Sequence, residues 1–128
     1  MSPRLFIAAA AVAALTATAA SADTHSDKSC FRGRDWQNWT APGDGDVILL
    51  RVNLHDIYRI ELTPGSHVRK DADRFLITKE RGTDWICGPL DLDLQLSDHS
   101  GFREPLIARS LRKLTPAEVA AIPPRDRP

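Results

Sequence analysis

Few residues in this chain are equipped for chemistry, and their spacing decides what they can do. Cysteine occurs twice, at Cys30 and Cys87. A redox pair would bring its thiols together as C-x-x-C, and structural zinc would need four clustered ligands. Neither spacing is present. In an oxidising compartment the one available pairing, Cys30 with Cys87, reads as a structural disulfide. The histidines are His25, His55, His67 and His99, with no H-x-H or H-x-x-x-H spacing among them. Ser66 precedes His67 and Ser100 follows His99. Neighbours in sequence seldom serve as nucleophile and base, and no G-x-S-x-G elbow occurs. Asp91 and Asp93 share one strand face, whereas a glycosidase needs two carboxylates across a cleft. They read as solvated surface. With no phosphate loop or dinucleotide fingerprint, no cofactor is expected, and the balance is against an enzyme.

Two constellations remain that could bind something. In a simple up-and-down meander, the 42–46 turn, the 63–73 connection and the 98–101 turn share one rim, with His55 at the other. That rim would gather Asp44, His67, Asp71, Asp98 and His99, nitrogen and oxygen donors suited to a divalent cation. Polar turns need no metal to explain them, so no metal site is assigned, and the rim stands as the alternative reading: a metal-binding protein or an enzyme. The other constellation is aromatic. Trp36, Trp39, Trp85 and Phe102 could form a platform for a sugar, a peptide or a partner protein. Equally, they could cover the disulfide and complete a small core.

The elements that must position these residues are mainly strands. Leu90, Leu92, Leu94 and Leu96 alternate with Asp91, Asp93, Gln95 and Ser97. A period of two fits a strand with one dry face and one wet face. Val47 to Leu54 alternates with Ile48, Leu50, Val52 and Leu54 on one face. Ile57 to Leu62 returns with Tyr58, Ile60 and Leu62, so the pair reads as a hairpin turning at 53–56. Phe75 and Ile77 are expected to face inward on a short strand. A last strand is expected over Phe102 to Leu111, with Pro105 confining it to an edge or a bulge. Thr115-Pro116-Ala117-Glu118 opens a short helix with a capping box and proline at the first position. It stops at Pro123-Pro124. The expected fold is all-β and mainly antiparallel: a five- to six-stranded small barrel or bent sheet, with a short C-terminal helix and one disulfide.

The start of the chain indicates where it works. Arg4 is followed by an apolar, alanine-rich run from Leu5 and then by Ala20-Ser21-Ala22. This is the order of a signal peptide, and the run is short for a membrane span. Residues 1–22 are read as the signal, 23–29 as a flexible leader, 30–122 as one β domain and 123–128 as a frayed tail. The chain is then exported, periplasmic or secreted in a Gram-negative bacterium, with no stable anchor after cleavage. Lysine and arginine number 17, as do aspartate and glutamate. That balance leaves no electrostatic footprint for nucleic acid. A partner would be an envelope protein or a small ligand.

Cys30, Trp36, Trp39, the run Tyr58-Arg59-Ile60-Glu61-Leu62, then Ile86-Cys87-Gly88 and Leu114-Thr115-Pro116-Ala117-Glu118 together form a pattern. It resembles a family of small exported proteobacterial proteins classed as a domain of unknown function, over about residues 30–120. Members often carry a further cysteine pair that is missing from Leu62 to Ser66 here. They also tend to have an acidic residue after the Cys-Gly step, where this chain has Pro89. The resemblance implies a periplasmic β domain and no activity. The function expected is a non-enzymatic binding or structural module.

Overall fold

The computed structural model describes residues 30–68, 73–80 and 82–128. The expected signal peptide, the leader with His25, and Asp71 lie outside them. The described residues hold nine strands: β1 (Phe31–Arg32), β2 (Trp36–Thr40), β3 (Val47–Val52), β4 (Asp56–Leu62), β5 (Arg74–Glu80), β6 (Trp85–Ile86), β7 (Leu92–Asp98), β8 (Arg103–Leu106) and β9 (Ala108–Lys113). One α-helix follows, α1 (Pro116–Ala121). All the pairings are antiparallel. They make a four-stranded sheet in the order β2-β3-β4-β9, a three-stranded sheet in the order β5-β7-β8, and the ribbon β1-β6.

The two larger sheets share one core. Ile48, Leu50, Val52, Tyr58, Ile60 and Leu62 come from the first, and Leu92, Leu94, Leu96 and Leu106 from the second. These are the alternating faces legible in the sequence. Burying such a face removes apolar surface from water at roughly 25 cal/mol per Å2. The ribbon adds Phe31 and Ile86 to the same core. Phe31 stacks on Tyr58 with ring centroids 4.6 Å apart.

Among the described residues the sheets do not close into a barrel. Two local features set this arrangement apart from the expected five or six strands. Trp36–Thr40 is a strand, irregular between Trp36 and Asn38. The expected last strand breaks at Ile107, so that β8 pairs with β7 and β9 pairs with β4. The chain thus passes from one sheet to the other through a single residue. Pro105 sits on β8, an edge strand, where its missing N–H costs no ladder bond.

Four inward assignments shift. Leu54 lies in the hairpin turn and is 74 % exposed. On β5 the inward phase belongs to Leu76, because it pairs with Leu96; Phe75 and Ile77 pair with the outer positions Ser97 and Gln95, and Phe75 is exposed. Leu90 is not in β7 at all: Pro89 starts a 3-10 turn over Pro89–Asp91, and Leu90 is 87 % exposed. Asp91 is no solvated bystander. Its Oδ2 accepts from the amides of Cys87 and Gly88, both at 2.9 Å, and so fixes that turn.

The helix forms as the capping box dictates. Thr115 Oγ1 accepts from the Glu118 amide at 3.3 Å, and Glu118 Oε2 accepts from the Thr115 amide at 2.9 Å. Leu49, Ile57, Leu114 and Ile122 form a second, smaller core under it, on the outer face of the four-stranded sheet. The closing residues, expected to fray, are docked. Thr40 Oγ1 donates to the Asp126 carbonyl at 2.6 Å, and Arg127 Nε donates to the Ile122 carbonyl at 3.0 Å.

Cys30 and Cys87 are joined by a disulfide across the β1-β6 ribbon, 57 residues apart in sequence. Constraining a loop of that length stabilises a fold by about 4 kcal/mol in the chain-entropy model. Reduction is therefore expected to lower stability by about that amount, read as a lower urea midpoint in the presence of phosphine. An unchanged midpoint with both thiols demonstrably free would contradict it.

Candidate binding surfaces

The loop rim assembles only in part. The 63–68 segment is stitched to the 42–46 turn, with the Val68 amide donating to the Gly45 carbonyl at 3.0 Å and the Leu62 amide to Asp46 at 2.9 Å. Gly45 has φ +87°, and a Cβ there would collide with the Val68 carbonyl. This close approach brings His67 Nδ1 to 2.7 Å from Asp46 Oδ1. Asp98 belongs to a different turn. Its Oδ1 accepts from the Ser100 amide at 2.9 Å, the Ser100 hydroxyl at 2.6 Å and the Phe102 amide at 3.0 Å. The Ser100 hydroxyl foremost, then those amides, hold the Asp98 carboxyl below its ordinary 3.8. This carboxylate is committed to its turn, and His99 packs against Phe75 instead, with ring centroids 5.7 Å apart. Asp44 is exposed on the 42–46 turn. Among the described residues no three His, Cys, Asp or Glu side chains are grouped to hold a metal ion.

The aromatic residues are dispersed as well. Trp36 and Trp39 are half-buried on β2 and pack against the main core. Trp85 is 48 % exposed on β6, and the Arg32 guanidinium lies 4.8 Å from its ring centroid. Phe102 is exposed in the turn after β7, whereas Trp85 precedes that strand. The length of β7 separates them, roughly 20 Å.

Sequence reasoning missed two other surfaces. The first is a row of arginines on the outer face of the four-stranded sheet. Arg59 stands between Leu49 and Arg112 in the ladder. Like charges directly opposite repel, and each arginine here is paired with a carboxylate, Arg59 and Arg109 sharing Glu61. Arg59 Nε pairs with Glu61 at 3.2 Å, Arg109 with Glu61 at 2.9 Å, and Arg112 with Glu118 at 2.8 Å. Arg109 first, then Arg59, hold the Glu61 carboxyl below its ordinary value. Arg59 borders two hollows. One, of about 460 Å3, also holds Asp46, His67 and Arg109; the other, of about 290 Å3, lies beside α1 over Leu49, Leu114 and Ile122. The only sequence signal for this row was the alternation of Arg59 and Glu61 with core residues.

The second surface is a hollow with two exposed aliphatic flanks and Asp93 on its lining. Leu90 and Ile107, 87 % and 61 % exposed, flank one hollow of about 240 Å3. Pro89, Pro105 and Ala108 complete its apolar wall. Pro89 was the signal that could have found it, since proline opening a turn removes Leu90 from the ladder. Among the described residues, no helix is long and apolar enough to cross a membrane. Comparison of the chain with protein-family models, with curated proteins and with solved structures found no match.

The ion pair between Arg112 and Glu118 also sets a pH dependence. Arg112 first, then the Thr115 amide, lower the Glu118 carboxyl from 4.5 to about 2. A carboxyl lowered by folding stabilises fully above its unfolded value and loses that contribution as pH falls through the folded one. The pair is more than a third exposed, so solvent screening holds the contribution to about 1 kcal/mol or less. Stability is expected to fall between pH 4.5 and about 2, and Glu118→Gln to flatten part of that fall. Urea titrations of both proteins across this range test it; identical slopes would remove Glu118 from the account.

Proposed function

We propose that this chain is an exported, non-enzymatic β domain that binds a partner protein through the hollow between Leu90 and Ile107. The exposure of these two large aliphatic side chains around one hollow carries the reading. Single exposed apolar residues are ordinary, but two large aliphatic side chains exposed on either side of one hollow suit a protein contact. A partner's apolar side chain entering the hollow would bury both flanks. The acidic groups nearest to chemistry already have structural work: Asp91 and Asp98 in turns, Glu61 and Glu118 in ion pairs. Export is supported by the signal-like start and by the disulfide. The resemblance to small exported proteobacterial proteins points the same way.

The double variant Leu90→Asp, Ile107→Asp tests this reading. Both side chains are exposed, so folding is expected to be unchanged, with the same melting temperature. Binding of the envelope protein captured by the wild type is expected to weaken at least about tenfold, as for a lost hot spot. Capture of the same proteins in the same amounts by both forms would refute the proposal.

A further inference from the structure

Every open sheet leaves edge strands, whose unpaired N–H and C=O groups invite another strand unless something blunts them. Three of the four edges in the two larger sheets are blunted. In β2 the register breaks between Trp36 and Asn38, and Thr40 is tied to Asp126 of the tail. The 3-10 turn at Pro89–Asp91 packs against β9, and β8 carries Pro105. The fourth edge, β5, has none of these devices among the described residues. It runs seven residues in unbroken register with β7, without proline or bulge.

The position of β5 adds to this. Ile107 alone joins β8 to β9, so those two edges adjoin, and β2 and β5 border the opposite side of the core. Leu76 of β5 is only partly buried where it packs against the core.

We propose that two copies of this chain pair antiparallel through the free edge of β5, with the two-fold axis at Ile77. The strand is complementary to itself about that residue. Arg74 falls opposite Glu80 in the second copy, Phe75 opposite Lys79, Leu76 opposite Thr78, and Ile77 opposite itself. No like charges meet in this register. Phe75, Ile77 and Lys79 lie on the outer face, because Leu76 and Thr78 pair with Leu96 and Leu94 in the ladder. Phe75 is 40 % exposed and Lys79 is exposed, so an ammonium from one copy can lie over the ring of the other, a cation–π contact. Pairing would fuse the two three-stranded sheets into one continuous sheet and extend cover over Leu76. A self-complementary patch is what a two-fold interface requires.

Cysteine scanning tests both the dimer and its register, since the native cysteines are both in the bridge. Directly opposite residues have Cβ atoms about 4.5–5.5 Å apart, near enough for a disulfide after a small shift. Ile77→Cys is expected to give a covalent dimer on mild oxidation. Phe75→Cys alone is expected to give none, because its two copies would lie about 13 Å apart along the strand. Mixed with Lys79→Cys, it is expected to give a covalent heterodimer. A non-reducing peptide map confirms that Cys30–Cys87 stays intact. Light scattering on the wild type is expected to show twice the chain mass, and Ile77→Lys to restore the single mass with an unchanged circular dichroism spectrum. A wild-type monomer at every concentration up to millimolar would overturn the proposal. So would self-linking of Phe75→Cys, failure of Ile77→Cys to link, or a dimer that survives Ile77→Lys. If Ile77→Lys loses its folded spectrum, the cysteine pairs decide alone.

Discussion

The dry face of β7 has to be covered by something other than its own sheet. A three-stranded sheet cannot shield Leu92, Leu94 and Leu96, and two neighbours in the plane leave that face open to water. The β3-β4 hairpin supplies the cover through Ile48, Leu50, Ile60 and their neighbours. This mutual burial explains why the chain, after making three strands of one layer and then the facing sheet, returns through Ile107 to add β9 as the fourth. The remaining features are consequences. The ribbon plugs the core with Phe31 and Ile86, and the helix covers the part of the outer face where Leu49 and Ile57 are apolar.

The outer face of the four-stranded sheet shows how the same strands serve two purposes. Leu49 and Ile57 need the helix over them, while Arg59, Glu61 and Arg112 need water or one another. Glu118 belongs to both sides of this boundary. It caps the helix through the Thr115 amide and holds Arg112 on the sheet. A single carboxylate therefore joins the local signal that starts α1 to the contact that docks it.

Much of the local structure was legible. The 47–62 hairpin, the phase of Leu92 to Leu96, the capping box at Thr115 and the edge position of Pro105 all follow from spacings within a few residues. The pairing of Cys30 with Cys87 followed from there being no other choice. What was hidden depended on partners far away in sequence. The inward phase of β5 is set by the register of Leu76 with Leu96, and nothing in Phe75-Leu76-Ile77 alone distinguishes the two phases. The break at Ile107 is a decision between sheets, invisible along an uninterrupted strand pattern. The strand at Trp36–Thr40 has a bulge that spoils its alternation. The candidate surfaces were least legible of all, because Leu90 and Ile107 are remarkable only once their surroundings are known.

The turn that presents Leu90 begins one residue after Cys87 and is fixed by Asp91 accepting from the Cys87 and Gly88 amides. One end of that turn is therefore anchored by sulfur to Cys30, the residue before β1. The exposed Leu90 side chain thus stands three residues from the bridge, and a reduced chain would hold its turn by the Asp91 hydrogen bonds and the flanking strands alone.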